Sequence, residues 1–136
     1  VVTDMVSGNG WDSNRAMVLL KSKDLVHWTS NIVNIQKKYP AQENLKRVWA
    51  PQTVYDKEAG KYMVYWSMKH GNGADIIYYA YANKDFTDLE GEPKPLFLPK
   101  NGKSSTEISS IKMDCIICFI RQKEMETASR KRLPSP

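Results

Sequence analysis

The side chains best suited to chemistry in this 136-residue chain are few and scattered. Cys115 and Cys118 stand in a Cys-x-x-Cys spacing, shared by thiol redox pairs and by halves of zinc sites. A redox pair opens a helix after a strand, and a zinc site needs further ligands. The only histidines, His27 and His70, lie far from the pair in sequence. The expectation is therefore no metal and no cofactor. Two acidic residues occupy matching places in a short repeat. Leu19-Leu20-Lys21-Ser22-Lys23-Asp24-Leu25-Val26-His27-Trp28 is an apolar strand end followed by Ser-Lys-Asp and an aromatic. Tyr79-Ala80-Tyr81-Ala82-Asn83-Lys84-Asp85-Phe86-Thr87 repeats it, 61 positions on. Carboxylates at such places bond local backbone amides, so Asp24 and Asp85 read as turn formers rather than catalytic groups.

The elements around them are strands. Ala16-Met17-Val18-Leu19-Leu20 is a short apolar run between polar residues, as in a buried strand. Thr53-Val54-Tyr55 and Lys61-Tyr62-Met63-Val64-Tyr65-Trp66-Ser67 flank Asp56-Lys57-Glu58-Ala59-Gly60, a hairpin pattern. Asp75 to Ala82 is a further strand, reached through the turn Gly71-Asn72-Gly73. Pro93, Pro95 and Pro99 are expected to break any regular element beyond it. The repeat spacing exceeds the roughly 40–50 residues of common propeller blades and suggests a propeller with longer ones. Trp66, Tyr62 and Tyr65 lie on the alternating hairpin, where they suit packing between blades.

The net charge of +5 is spread along the chain. Residues 1–104 hold 14 Lys/Arg and 11 Asp/Glu, and residues 105–136 hold 6 and 4. No nucleic-acid motif accompanies the excess, so no nucleic-acid partner is expected. No apolar run approaches the ~20 residues a bilayer crossing needs, and no membrane partner is expected. The chain opens on Val1-Val2-Thr3-Asp4, as a strand in mid-fold would, without initiator Met or signal peptide.

From about Ser104 the character changes. Ser105 to Ser110 has no period, Cys115 to Ile120 is an isolated apolar patch, and Arg130-Lys131-Arg132 is basic. Taken literally, this end could bind acidic partners or mark nuclear import. The genetic code offers a different account. When the last base of each codon joins the first two of the next, Met113–Asp114 must yield Gly and Asp114–Cys115 must yield Leu. With permitted codons elsewhere, the stretch from Ser104 becomes Ile-Asp-Gly-Asp-Ile-Val-Tyr-Lys-Asp-Gly-Leu-Tyr-His-Leu-Phe-Tyr, a second copy of the hairpin pattern. Residues 105–136 are thus expected to be a frameshifted, non-native tail, irregular or helical, after a domain spanning 1–104.

Val48-Trp49-Ala50-Pro51-Gln52-Thr53-Val54-Tyr55, followed by Gly60-Lys61-Tyr62-Met63-Val64-Tyr65-Trp66-Ser67, resembles the Trp-Ala-Pro blade signature of family 43 glycoside hydrolases. Ser22-Lys23-Asp24-Leu25-Val26-His27-Trp28 is similar to that family's Ser-x-Asp-Leu-x-x-Trp turn. The resemblance covers roughly residues 1–104. It implies an all-β fold, a fragment of about two blades from a five-bladed β-propeller. It also implies hydrolysis of O-glycosidic bonds in arabinose- or xylose-containing polysaccharides of plant type, by α-L-arabinofuranosidase or β-xylosidase action with inversion. A secreted or periplasmic parent enzyme fits such a substrate.

Inverting glycosidases set a general acid against a general base roughly 6.5–9.5 Å apart. The resemblance implies an Asp base, an Asp that tunes the acid, and a Glu acid. The base would precede Val1, the tuning Asp appears only in the shifted frame after Ser104, and the acid would follow Pro136. Hence no catalytic residue is expected here, and the chain is expected to be inactive. What the resemblance leaves is a sugar-binding wall. Trp49 could stack on a pentose or serve the blade core, and Pro51 would fix the start of the strand. Gln52 could make a polar contact to substrate, and Asn14 and Arg15 could reach sugar hydroxyls or belong to a solvated loop. Trp11 is either a rim aromatic or a bystander. The alternatives are a non-catalytic carbohydrate-binding module that uses Trp49 and Trp11, or a small domain whose Cys pair binds metal or cycles redox.

Overall fold

A computed structural model describes residues 1–97. These residues belong to one compact unit, and all that follows concerns them. The expected tail, with Cys115 and Cys118, lies outside the described residues, as does Pro99.

Seven strands form two antiparallel meanders, and the all-β, blade-like architecture is as expected. The first sheet runs β1 (Val2–Asp4), β2 (Ala16–Ser22) and β3 (Trp28–Asn34) in that order. The second runs β4 (Leu45–Asp56), β5 (Lys61–His70), β6 (Asp75–Ala82) and β7 (Leu89–Phe97). Between the sheets, Ile35–Lys38 forms one helical turn, α1, where Asn34 caps the N–H of Lys37 at 3.0 Å. No helix among the described residues is long and apolar enough to cross a membrane.

Alternation along the strands places the core. Met17 and Leu19 of β2 and Val33 of β3 share one cluster with Val48, Val64, Trp66, Met68, Ala80 and Ala82 of the second sheet. These side chains are buried almost completely, and the Val, Leu and Met side chains among them each contribute roughly 1.5–3 kcal/mol through removal of apolar surface from water. Trp66 thus packs between the sheets, as anticipated. Tyr62 does not. It is half exposed and sits edge-on between Tyr55 (5.0 Å between centroids) and Phe86 (5.5 Å).

Two further expectations need correction. Pro93 and Pro95 lie inside β7 rather than ending regular structure. Among the described residues β7 pairs only with β6, and its register slips twice, between Ile77 and Tyr78 and between Tyr79 and Tyr81. A strand with one paired edge and irregular pairing can dispense with a proline's missing N–H. The repeated turn is real, but its chemistry differs between copies. Asp24 Oδ1 accepts from the N–H groups of Val26 and His27 at 2.9 and 2.8 Å. In the second copy the acceptor is Asn83, whose Oδ1 takes the N–H groups of Thr87 and Asp88 at 2.8 and 3.2 Å. The Asp85 side chain makes no such bond. Its backbone carbonyl instead accepts from Lys21 Nζ at 2.6 Å. Both turns still pass through a left-handed residue, Leu25 (φ 62°) and Phe86 (φ 55°).

Candidate functional site

The Trp-Ala-Pro segment breaks the β4–β5 ladder. Trp49 pairs with Ser67 and Gln52 with Tyr65, so Ala50 and Pro51 together oppose Trp66. This is a β-bulge. Proline cannot donate to a ladder, and a bulge is one of the few places inside a sheet where that omission is harmless. Ala50 takes φ 46°, in the left-handed region, to make the extra step. Without the bulge, residues three apart would point to opposite faces. With it, Trp49 and Gln52 share the face that also carries Arg47, opposite Lys69, and hence the face of Tyr65, Ser67 and Asp75.

On that face a charged and aromatic corner is assembled from β4, β5, β6 and the loop after β1. Arg47 donates through Nε to Asp75 Oδ1 (3.1 Å) and through Nη2 to Asp75 Oδ2 (2.6 Å), a two-point fork. Its Nη1 reaches Asp12 Oδ1 at 3.1 Å. Ser67 Oγ adds a 3.3 Å bond to Asp75. The pair is mostly shielded, with side-chain exposures of 17% for Arg47 and 12% for Asp75. Hydrogen bonding to Asp75 holds the Arg47 guanidinium above its ordinary value, against the opposing effect of burial. The guanidinium carbon lies 4.9 Å from the Trp49 ring centroid, in cation–π contact. Trp11 meets the same ring at 5.3 Å and 54°.

Each residue expected at the site can now be placed. Trp49 is half-buried and donates its indole N–H to Asn14 Oδ1 at 2.9 Å. Asn14, 5% exposed, also donates to the carbonyl of Val48 and accepts the Val48 N–H at 3.1 Å on its own carbonyl. Its amide therefore ties the loop to β4. Arg15 does similar work, donating from Nη1 to the carbonyls of Asp12 (2.7 Å) and Lys46. Burial draws the Arg15 pKa down, with Asp12 opposing. Pro51 does not start a strand as expected: it lies midway along β4, buried in the bulge. Gln52 is exposed, and its Oε1 accepts from Tyr65 OH at 2.7 Å, a phenol whose pKa burial pushes up. Among the described residues no group accepts from Gln52 Nε2. The structure thus joins Asn14, Trp49 and Trp11, sets Gln52 farther along the same strand face, and turns Arg15 toward backbone.

Arg47, Asp12 and Asp75 went unrecognised in the sequence. Arg47 stands two positions before Trp49, a same-face spacing on a strand, and that was the available signal. Asp75 opens β6, and its link to Arg47 depends on a register that no local pattern reveals. Beside the corner, a shallow open depression of about 410 Å³ is lined by Arg15, Asn44, Leu45, Lys46, Gly71 and Asn72.

Chemically, the corner offers aromatic surface and fixed hydrogen-bonding groups. Both of its carboxylates are committed to one guanidinium. Such a combination suits a ligand with an apolar face and hydroxyl edges. Searches of curated proteins and of solved structures each found no match. A family model described as a probable glycosyl hydrolase domain, related to family 43, matches residues 1–126. That span contains the bulge, the corner and both repeated turns, and it runs past Ser104 to Glu126. The chain belongs to this family of probable glycosyl hydrolase domains, and its partner class is carbohydrate.

Proposed function

We propose that this chain forms part of the sugar-binding wall of a glycoside hydrolase acting on arabinose- or xylose-containing plant polysaccharides with inversion. As written, it binds without cleaving. The observation that carries this reading is the bulge at Ala50-Pro51, which puts Trp49 and Gln52 on one face beside Arg47 and Trp11. A pentose ring has an apolar C–H face for the aromatic surface and hydroxyls for the flanking polar groups. Asp12 and Asp75 are both engaged by Arg47. Inverting hydrolysis requires one carboxyl group free to give a proton and another free to activate water. That engagement supports binding rather than turnover, and it equally favours the second reading, a non-catalytic carbohydrate-binding module.

The test pairs two assays on the purified 136-residue chain. Arylglycosides of α-L-arabinofuranose and β-xylose report cleavage, and calorimetry with xylan and arabinan fragments reports affinity. Binding with no release of aryl alcohol is the expected result. Release above that from a mock purification would overturn the claim of inactivity. Absence of any affinity would remove the sugar wall.

We also read residues 105–136 as out of frame. The family match extends to residue 126, so the coding DNA around Ser104 decides the matter. A shifted frame encoding Ile-Asp followed by a hairpin pattern is expected. A frame that yields early stops or no such pattern would make the tail genuine.

A further inference from the structure

The ring expected to stack on sugar, Trp49, is already occupied on several sides. Arg47 lies over it, Asn14 holds its N–H, and Trp11 leans against it. The aromatic surface left to solvent belongs to Trp11, which is 67% exposed. We propose that Trp11 is the stacking platform for a neutral oligosaccharide, with Trp49 as its backing. This rests on the sugar-wall reading above.

Three features support the assignment. The first is that Trp11 sits in a tethered turn. Ser13 bonds back to the Gly10 carbonyl through its N–H (3.3 Å) and its hydroxyl (2.7 Å). The Asp12 carbonyl is held by Arg15 and the Asp12 side chain by Arg47. An exposed ring whose backbone is fixed at both flanks loses little freedom when a ligand lands on it. The second feature is the tilted contact with Trp49, which limits the indole to few orientations and leaves its remaining surface open. The third is charge. Arg15 and Arg47 offset Asp12 and Asp75, the charged groups bonded to one another around the turn, and Lys69 stands opposite Arg47 on the same face, so no unpaired carboxylate cluster is presented to a neutral ligand. Asp12 Oδ2 makes no bond to a described residue, and lies on the residue next to Trp11, placed to accept from a sugar hydroxyl.

The experiment is calorimetric titration of the full chain with xylohexaose, linear arabinohexaose and cellohexaose. Wild type, Trp11→Ala, Trp11→Phe and Trp49→Phe are compared, with urea midpoints recorded for each. Trp11→Ala should lower affinity about tenfold or more, since loss of one stacked aromatic face removes a large share of the contact with a small ligand. Its urea midpoint should stay near wild type, because the ring is largely exposed. Trp11→Phe should fall between the two. Trp11→Ala binding as tightly as wild type would overturn the proposal while leaving the sugar wall intact. Wild-type affinity for cellohexaose alone, lost in Trp11→Ala, would uphold the platform and remove the pentose assignment. No affinity for any of the sugars would sink both.

Discussion

Replacing Arg47 by Ala should destabilise the chain by an amount that can be built from its contacts. Removing one partner of a fully buried ion pair costs about 3–5 kcal/mol, because the other charge is stranded. Asp75 keeps 12% exposure and its 3.3 Å bond from Ser67, so the cost falls to the bottom of that range or just below it, about 2–3 kcal/mol. Asp12 is more than half exposed, and its link contributes less than about 1 kcal/mol. The cation over Trp49 adds about 0.5–1 kcal/mol. The total is about 2.5–5 kcal/mol, against the roughly 5–15 kcal/mol that holds an ordinary domain folded. Urea unfolding followed by tryptophan fluorescence and circular dichroism would measure it. The discriminating step is Asp75→Asn introduced into Arg47→Ala. An amide needs no counter-charge, so the double variant should recover about 1 kcal/mol or more relative to Arg47→Ala alone. Asp75→Asn in the wild-type background should instead be harmful. A loss below about 1 kcal/mol for Arg47→Ala, or no recovery in the double variant, would refute the account.

Ala50→Val should cost more than about 1 kcal/mol, since a β-branched residue is poorly accommodated at φ 46°. Ala50→Gly should be neutral or slightly stabilising, and thermal melts of the two would show the ordering. Asn14→Ala should cost about 2–3 kcal/mol by leaving the Trp49 N–H and the Val48 carbonyl without their partner, with a red shift in tryptophan emission as a second readout. Burial lowers the His70 pKa below its ordinary value near 6.5, so the folded chain holds this proton less well than the unfolded one. The contribution is therefore present above about 6.5 and lost as pH falls through the lower folded value. Urea midpoints of wild type should drop from pH 8 to pH 5 by more than those of His70→Gln, and equal drops would contradict this.

Much of the fold could be seen in the residues. Ala16–Leu20 and the hairpin around Asp56–Gly60 announce themselves by apolar runs and a glycine turn, and Asp75–Ala82 matches β6 end to end. β3 was invisible because most of Trp28–Asn34 is exposed and polar, so its strand character comes from pairing with β2 rather than from alternation. β7 was hidden by its prolines, which local rules treat as breakers and an edge tolerates. At the site, motif resemblance picked out Trp49, Pro51 and Gln52. It could not show that Trp49 would be walled in by Arg47 and Asn14, because those contacts span 2 to 35 residues and depend on how two sheets meet. Ser22 and Asn83 illustrate the same limit. The repeat was plain, yet the side chain that closes the second turn is not the Asp that matched the first.

The extra step at Ala50-Pro51 gives β4 one place where chain length can change without exchanging its two sides. Deleting Ala50 would leave Trp49 opposite Ser67 and Gln52 opposite Tyr65, now two residues apart, so ordinary alternation would hold both on one face with Pro51 alone opposite Trp66. Removing a residue beyond the bulge is different. Without Thr53, Val54 would fall opposite Val64 and Tyr55 opposite Met63, which exchanges their sides and parts Tyr55 from the ring of Tyr62. A one-residue loss at the bulge is therefore a local event, whereas the same loss three positions later would reach every remaining side chain of the strand.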